Sequence, residues 1–201
     1  DQILGIISFY DNASHNARID TVRASNAVSS NMRFWTAPSG GGIIERMRIH
    51  TGGQISTGNE TDSNVDGGGL CLNHGASDSR VFTLKNSDVS HPFTNIVQAD
   101  TYFSIEKYDA NGGAKIKALG TGNANLEIQS FNTDESDAKS TSASSGMRFN
   151  VALTNGSTGA NPISSNDNLC TWHNDGSAKM ILDAEGDIHV DGSSSISTYD
   201  A

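Results

Sequence analysis

The chain has 201 residues, enough for one β domain or two small ones. Only 35% of them are hydrophobic and 6% aromatic, which leaves a lone chain of this length short of core. A net charge of −10 argues against nucleic acid as a partner, because phosphates need a basic surface. No apolar run approaches the ~18 residues of a membrane span. Partial disorder is the bland reading of so polar a chain, yet apolar alternation keeps returning between the polar runs, and disordered chains lack it. The expectation is an all-β protein whose copies pool their apolar surface around a shared axis. Its acidic coat fits a soluble, secreted or particle-surface protein.

Along the chain, Asp1-Gln2-Ile3-Leu4-Gly5-Ile6-Ile7 lacks the basic n-region and long h-region of a signal peptide. It reads as the middle of a strand, so residue 1 is not expected to be the biological start. Period-two alternation predicts short strands at 32–36, 80–84, 101–108, 115–119, 125–129 and 147–153. The last is the cleanest, with Met147, Phe149, Val151 and Leu153 on one face. Asn111-Gly112-Gly113, Asn155-Gly156, Asp175-Gly176 and Asp191-Gly192 suit tight or bulged hairpin turns. No window of helical period escapes interruption by glycine or a Ser/Asn cluster.

The most informative stretch is 45–57. Met47 and Ile49 alternate with Arg46, Arg48 and His50, Gly52-Gly53 supplies a turn, and Ile55 restarts the apolar face. This predicts a hairpin with Arg46, Arg48 and His50 on its wet side. One ungapped shift lays Met47 on Met180, Ile49 on Leu182, Gly53 on Gly186 and Ile55 on Ile188, so the hairpin recurs. Reuse of one hairpin suggests an elongated or modular β structure. The polar joins at 59–66 and 132–145 divide the chain into a hairpin-rich unit (1–58), a central β unit (59–131) and a C-terminal β unit (132–201) that ends in the second hairpin.

Ile7-Ser8-Phe9-Tyr10-Asp11-Asn12, Asn16-Ala17-Arg18-Ile19 and Glu45-Arg46-Met47-Arg48-Ile49 resemble the repeated hairpins in tail-fibre and tail-spike shafts of tailed bacteriophages. Gly68-Gly69-Leu70-Cys71-Leu72-Asn73-His74-Gly75, with Leu84-Lys85-Asn86-Ser87-Asp88-Val89-Ser90-His91, is similar to segments of marine phage structural proteins. So is Asp183-Ala184-Glu185-Gly186-Asp187-Ile188-His189-Val190-Asp191. The resemblance implies an elongated homotrimer of β-prism, β-helix or β-sandwich-like form on the virion surface. Its implied partners are other tail or baseplate proteins and a host surface glycan or protein; with no Gly-x-Ser-x-Gly elbow, Walker loop or His-Glu-x-x-His helix in the sequence, no enzymatic activity and no cofactor are expected. Two features depart from the family. Ser56-Thr57-Gly58-Asn59-Glu60 leads into a loop where a "Gly-Ile-Gly-Thr" type repeat is usual, and Ser197-Thr198-Tyr199-Asp200-Ala201 stops about where relatives begin a cleavable chaperone domain. The rival readings are a monomeric lectin-like or capsid-decoration β domain, and a depolymerase of capsular polysaccharide or lipopolysaccharide.

Candidate sites are few. Asp62-x-Asn64-x-Asp66-Gly67 matches the first half of a calcium loop, but Asn73 stands where the bidentate Glu belongs, and an acidic turn explains it as well. Asp183, Glu185 and Asp187 can converge at a hairpin tip or simply solvate it. His15, His50, His74, His91, His173 and His189 show no ligand spacing, although an inward histidine on a three-fold axis would become three. A depolymerase needs two facing carboxylates, and Glu45, Glu60, Glu106, Glu127, Glu135 and Glu185 are all explicable as solvated residues. Cys71 and Cys170, flanked by apolar residues, read as buried thiols or, failing that, a disulfide. Trp35 and Trp172 are suited to sugar stacking but more suited to burial. The sequons at Asn12, Asn59 and Asn155 arise by chance in so Ser/Thr/Asn-rich a chain.

Overall fold

The computed structural model describes residues 2–12, 14–23, 29–133, 137, 139, 140, 143 and 145–192. The expectations placed on Asp1, Glu135 and 197–201 lie outside these residues. The described residues form fourteen strands and no helix. The chain divides into two compact units, Asp1–Glu127 and Ile128–Ala201. The boundary expected at 58/59 falls inside the first of these.

The first unit opens with a six-stranded sheet in sequence order: β1 (Ile3–Asp11), β2 (Ser14–Arg23), β3 (Ser30–Thr36), β4 (Ile44–Ile49), β5 (Ile55–Thr57) and β6 (Leu70–Cys71). The first four pairings are antiparallel, as short connections require, and β5–β6 is parallel across a longer crossover. A three-stranded antiparallel sheet follows, β7 (Arg80–Lys85), β8 (Thr101–Asp109) and β9 (Gly112–Ala118). The loop between β7 and β8 folds around the buried His91. Its Nε2 lies 2.7 Å from the Thr101 carbonyl, and its Nδ1 accepts from the Phe93 amide at 3.3 Å. The two contacts settle the tautomer: Nε2 carries the proton.

The second unit holds a two-stranded ladder, β10 (Ala152–Thr154) with β11 (Ala160–Pro162). Its three-stranded sheet comprises β12 (Asn168–Asn174), β13 (Ser177–Asp183) and β14 (Ile188–Val190). Asp175 and Gly176 both have positive φ, as the two-residue β12–β13 turn requires.

The repeated hairpin holds at the level of individual hydrogen bonds. Ile49 pairs with Ile55, and Leu182 with Ile188. The His50 amide donates to the Gln54 carbonyl at 2.8 Å, matched by Asp183 to Asp187 at 3.1 Å. Gly53 donates to His50 and Gly186 to Asp183, with φ of +81° and +93° at the two glycines. Gly58 to Arg46 is matched by Asp191 to Lys179. Both copies also carry a β-bulge at the same place. Phe34 pairs with Met47 but Trp35 with Glu45, passing over Arg46. Trp172 pairs with Met180 but His173 with Ala178, passing over Lys179.

One predicted strand, 125–129, does not form, and another, 147–153, forms only at its end. Residues 147–151 and 125–129 lie outside any ladder, and only Ala152–Thr154 of the former region pairs. Their alternation is real, but a strand needs a neighbour to take its backbone hydrogen bonds. Phe149 (74% exposed), Leu126 and Ile128 stay exposed.

Candidate assembly surface

The bulge at Arg46 decides the chemistry of the first sheet. Glu45 and Arg48 are an odd number of positions apart and would point to opposite faces of a regular strand. Passing over one residue turns Glu45 onto the face of Arg48. A cross-strand row on this face runs Ile6, Asp20, Arg33, Arg48, Ser56, Cys71, one residue from each of the six strands. The row beside it runs Ser8, Arg18, Trp35, Glu45.

The charges in these rows join into one ladder. Arg18 Nη2 lies 2.9 Å from Asp20 Oδ2. Arg33 clasps Asp20 through Nε to Oδ1 at 2.8 Å and Nη2 to Oδ2 at 3.1 Å. Arg48 clasps Glu45 through Nε and Nη2, both at 2.8 Å, and Arg33 Nε stands 4.0 Å from Glu45 Oε2. The Trp35 ring carries the Arg18 and Arg33 guanidinium groups at 4.3 and 4.9 Å from its centroid. Asp20, Arg33, Glu45, Arg48 and Ser56 are all buried. Planar forks on carboxylates satisfy the donors that burial would otherwise strand.

The expected wet face is therefore the covered one. Arg48 is buried with Glu45, and the His50 ring is half-buried, its Nε2 2.8 Å from Ser56 Oγ. Ser56 Oγ donates onward to the Glu60 carbonyl at 2.9 Å. Only Arg46, the bulged residue, stays exposed, with Nε on Thr36 Oγ1.

The opposite face is apolar and open. Its rows run Ile7, Ile19, Phe34, Met47, Thr57 and Gly5, Thr21, Met32, Ile49, Ile55, Leu70, with Phe9, Ala17, Thr36, Ile44 beside them. Ile7, Phe9, Met32, Ile44 and Leu70 are exposed, and Ile19, Phe34, Met47, Ile49 and Ile55 are half-covered. Among the described residues the buried apolar side chains are Val22, Val97 and Leu119, whereas ten buried residues are polar or charged. Native monomers rarely leave so continuous an apolar surface in water.

In the second unit the repeat keeps the backbone and changes the side chains. Ala178 and Ile181 stand where Glu45 and Arg48 stand in the first copy, so the ion ladder is missing there. The contact across the turn persists with new chemistry: His189 Nε2 lies 2.8 Å from Asp183 Oδ2, in the place of His50 and Ser56. This hydrogen bond is the largest cause that lowers the Asp183 pKa and raises that of His189. The Asp183 carboxylate also accepts from the Asp187 and Glu185 amides at 2.9 and 3.1 Å, which favours its charged form. Ile188 and Val190 are exposed, and so is Trp172, against the expectation of burial; Trp35 is half-covered.

Asp183, Glu185 and Asp187 do converge, with one carboxylate oxygen of each within 4.8 Å of the others. The turn itself accounts for that, since the Asp183 carboxylate is what holds the following amides. Asp62, Asn64 and Asp66 line an open polar cleft of about 550 Å³ together with Asn31, His50 and Gln54. Asp62 Oδ1 accepts from the Asn64 amide at 3.3 Å, which is turn chemistry. Glu60 ties this crossover down: its carboxylate accepts from the Asp62 amide and from Asn73 Nδ2, both at 2.9 Å, and these bonds lower its pKa. Glu106 is lowered chiefly by its bond to Lys117. Cys71 and Cys170 are free, half-buried thiols.

The ion ladder was hidden from sequence reading because strict alternation sends Glu45 and Arg48 apart. Its signal was present all the same, in two acids and three arginines spread over β2–β4 of a chain with few cations. No helix among the described residues is long and apolar enough to cross a membrane. No family model, curated protein or solved structure matches the chain.

Proposed function

We propose that this chain is a segment of a homotrimeric virion fibre or spike of a tailed phage, which binds a host surface glycan or protein without turnover. One observation carries the reading: the first sheet covers its charged face and leaves its apolar face open. A chain built this way completes its core by association. Three copies meeting around an axis would bring Met47, Ile49, Phe34 and Ile7 together, at about 25 cal/mol for each Å² removed from water. The ion ladder on the reverse side would keep the sheet in register while the apolar face is engaged. The hairpin repeat supports a shaft, because the same backbone unit serves twice with different side chains. The resemblance of 45–49, 68–75 and 183–191 to phage fibre segments supports display on the virion. Repetition over several fibres would strengthen weak receptor contacts through avidity.

The decisive experiment is mass measurement in solution at micromolar concentration. A trimer is expected, and a stable monomer overturns the reading. Attachment is tested separately, by binding of the labelled protein to host cells and its competition with intact virions. No competition would leave a structural fibre with no adhesive role.

A further inference from the structure

Resting on the reading of a self-associating fibre, we propose that the open edge of β1 is a seam at which a second copy of this chain adds a strand. β1 ends the six-stranded sheet, so among the described residues the side of its backbone away from β2 has no strand partner. Apolar side chains stand on both of its faces. Ile6 (52% exposed) lies in the row of Asp20, and Ile7 (60%) in the row of Ile19. Ile3, Leu4, Phe9 and Tyr10 are exposed as well. A strand apolar on both faces has the pattern of a central strand, covered on both sides and paired at both edges. Packing a layer on the apolar sheet face covers Ile7 and Phe9 but leaves Ile6 wet. Extension of the sheet at the edge, with a partner that wraps both faces, covers all six. These side chains are 46–63% exposed, and covering them would supply a large part of the ~800 Å² each partner contributes to a stable interface. Natural edge strands of this length guard themselves with lysine, proline or a covering loop, and residues 2–10 contain no charge at all.

The occupant, a second copy, follows from the self-associating reading, and the missing charge removes the chief obstacle to it. Two copies each carrying −10 repel, and they meet at least cost where neither presents a carboxylate. β1 has only Asp11, at its end. Copies around a three-fold axis present unlike surfaces to one another, so the strand that β1 accepts in a trimer is not another β1.

Amide hydrogen exchange on the assembled protein tests the seam. In an edge strand, alternate amides point outward and exchange fast; in a paired one, both sets are slow. Protection of both sets of β1 amides by at least about 100-fold is expected. Ile6→Lys, which leaves the apolar face of the sheet untouched, is expected to weaken association at least about tenfold while keeping the β-sheet circular dichroism. A trimer in which only alternate β1 amides are protected and Ile6→Lys assembles normally overturns the seam and leaves the fibre reading standing. A dimer with both sets protected supports the seam and overturns the trimer. A monomer overturns both, and a monomer with both sets protected shows β1 covered by its own chain. If Ile6→Lys does not fold, the exchange pattern of the unsubstituted protein still decides.

Discussion

Asp20 and Arg33 face each other across β2 and β3, with two guanidinium nitrogens 2.8 and 3.1 Å from the two oxygens of a carboxylate that has no exposed surface. Removing the anion takes the bidentate partner from the buried Arg33 and the ion-pair partner from the half-buried Arg18. Asp20→Ala is expected to cost about 3–5 kcal/mol in urea denaturation at fixed protein concentration. The double change Asp20→Leu with Arg33→Met should recover the part of that loss that falls on Arg33, because a packed apolar pair carries no desolvation cost, and leave the part that falls on Arg18. A single-variant cost under about 1 kcal/mol would rank the pair with surface ion pairs and sink the ladder's structural role.

The hairpin tip of the second unit should respond to pH on both sides of neutrality. His189 has a raised pKa, so its share of stability is fully present below the ordinary value of about 6.5 and is lost as pH rises through the folded value. Asp183 has a lowered pKa, so its share is present above about 3.9 and is lost as pH falls through the folded value. The pair is thus strongest between those limits. NMR titration of the His189 ring and the Gly186 amide should show linked shifts, and Asp183→Asn should return His189 toward its ordinary value. Unlinked titration would mean the contact is not formed in solution.

Glycines at three turn positions should separate strain from collision. Gly186 has φ +93° with open space where a methyl group would go, and Gly53 has φ +81° with its nearest neighbour at 3.8 Å. Alanine at either pays only for the left-handed backbone, about 1–2 kcal/mol. At Gly58, φ +68°, a Cβ would sit 2.2 Å from the Asn73 carbonyl oxygen. Gly58→Ala is therefore expected to cost roughly 3 kcal/mol or more and to loosen the β5–β6 crossover. Equal costs at all three sites, measured by thermal or urea unfolding, would contradict this order.

His91→Leu removes the ring that links the Thr101 carbonyl to the Phe93 amide. Taking this partner from the carbonyl of the buried Thr101 should cost about 1–3 kcal/mol. Faster exchange at the Val97 and Thr101 amides, with the β2–β3 ladder unchanged, would localise the loss to this loop. A uniform change in both places would contradict a local role.

Much of the fold was legible in period and punctuation. The alternation at 101–108 and 80–84 became β8 and β7, and Asp175-Gly176 became the two-residue turn it predicted. The hairpin recurrence proved close enough to place the same closing hydrogen bonds in both copies. Alternation failed where pairing was lacking, at 125–129 and 147–151, because periodicity reports which face a strand would bury and not whether a neighbour exists. It failed again at Glu45 and Arg48, where one bulged residue reverses the parity on which any face assignment rests.

The sequence by itself determined the β class, the glycine turns and the twice-used hairpin, since these depend on local φ preference and on the spacing of apolar residues. Tertiary structure alone decided which face of the first sheet is covered. That choice depends on cross-strand register and on the bulge, which bring Asp20 to Arg33 from separate strands and Glu45 to Arg48 within one. Paired in this way, the charges can be buried, and the apolar side chains of Ile7, Met32, Met47 and Ile49 are left to face outward.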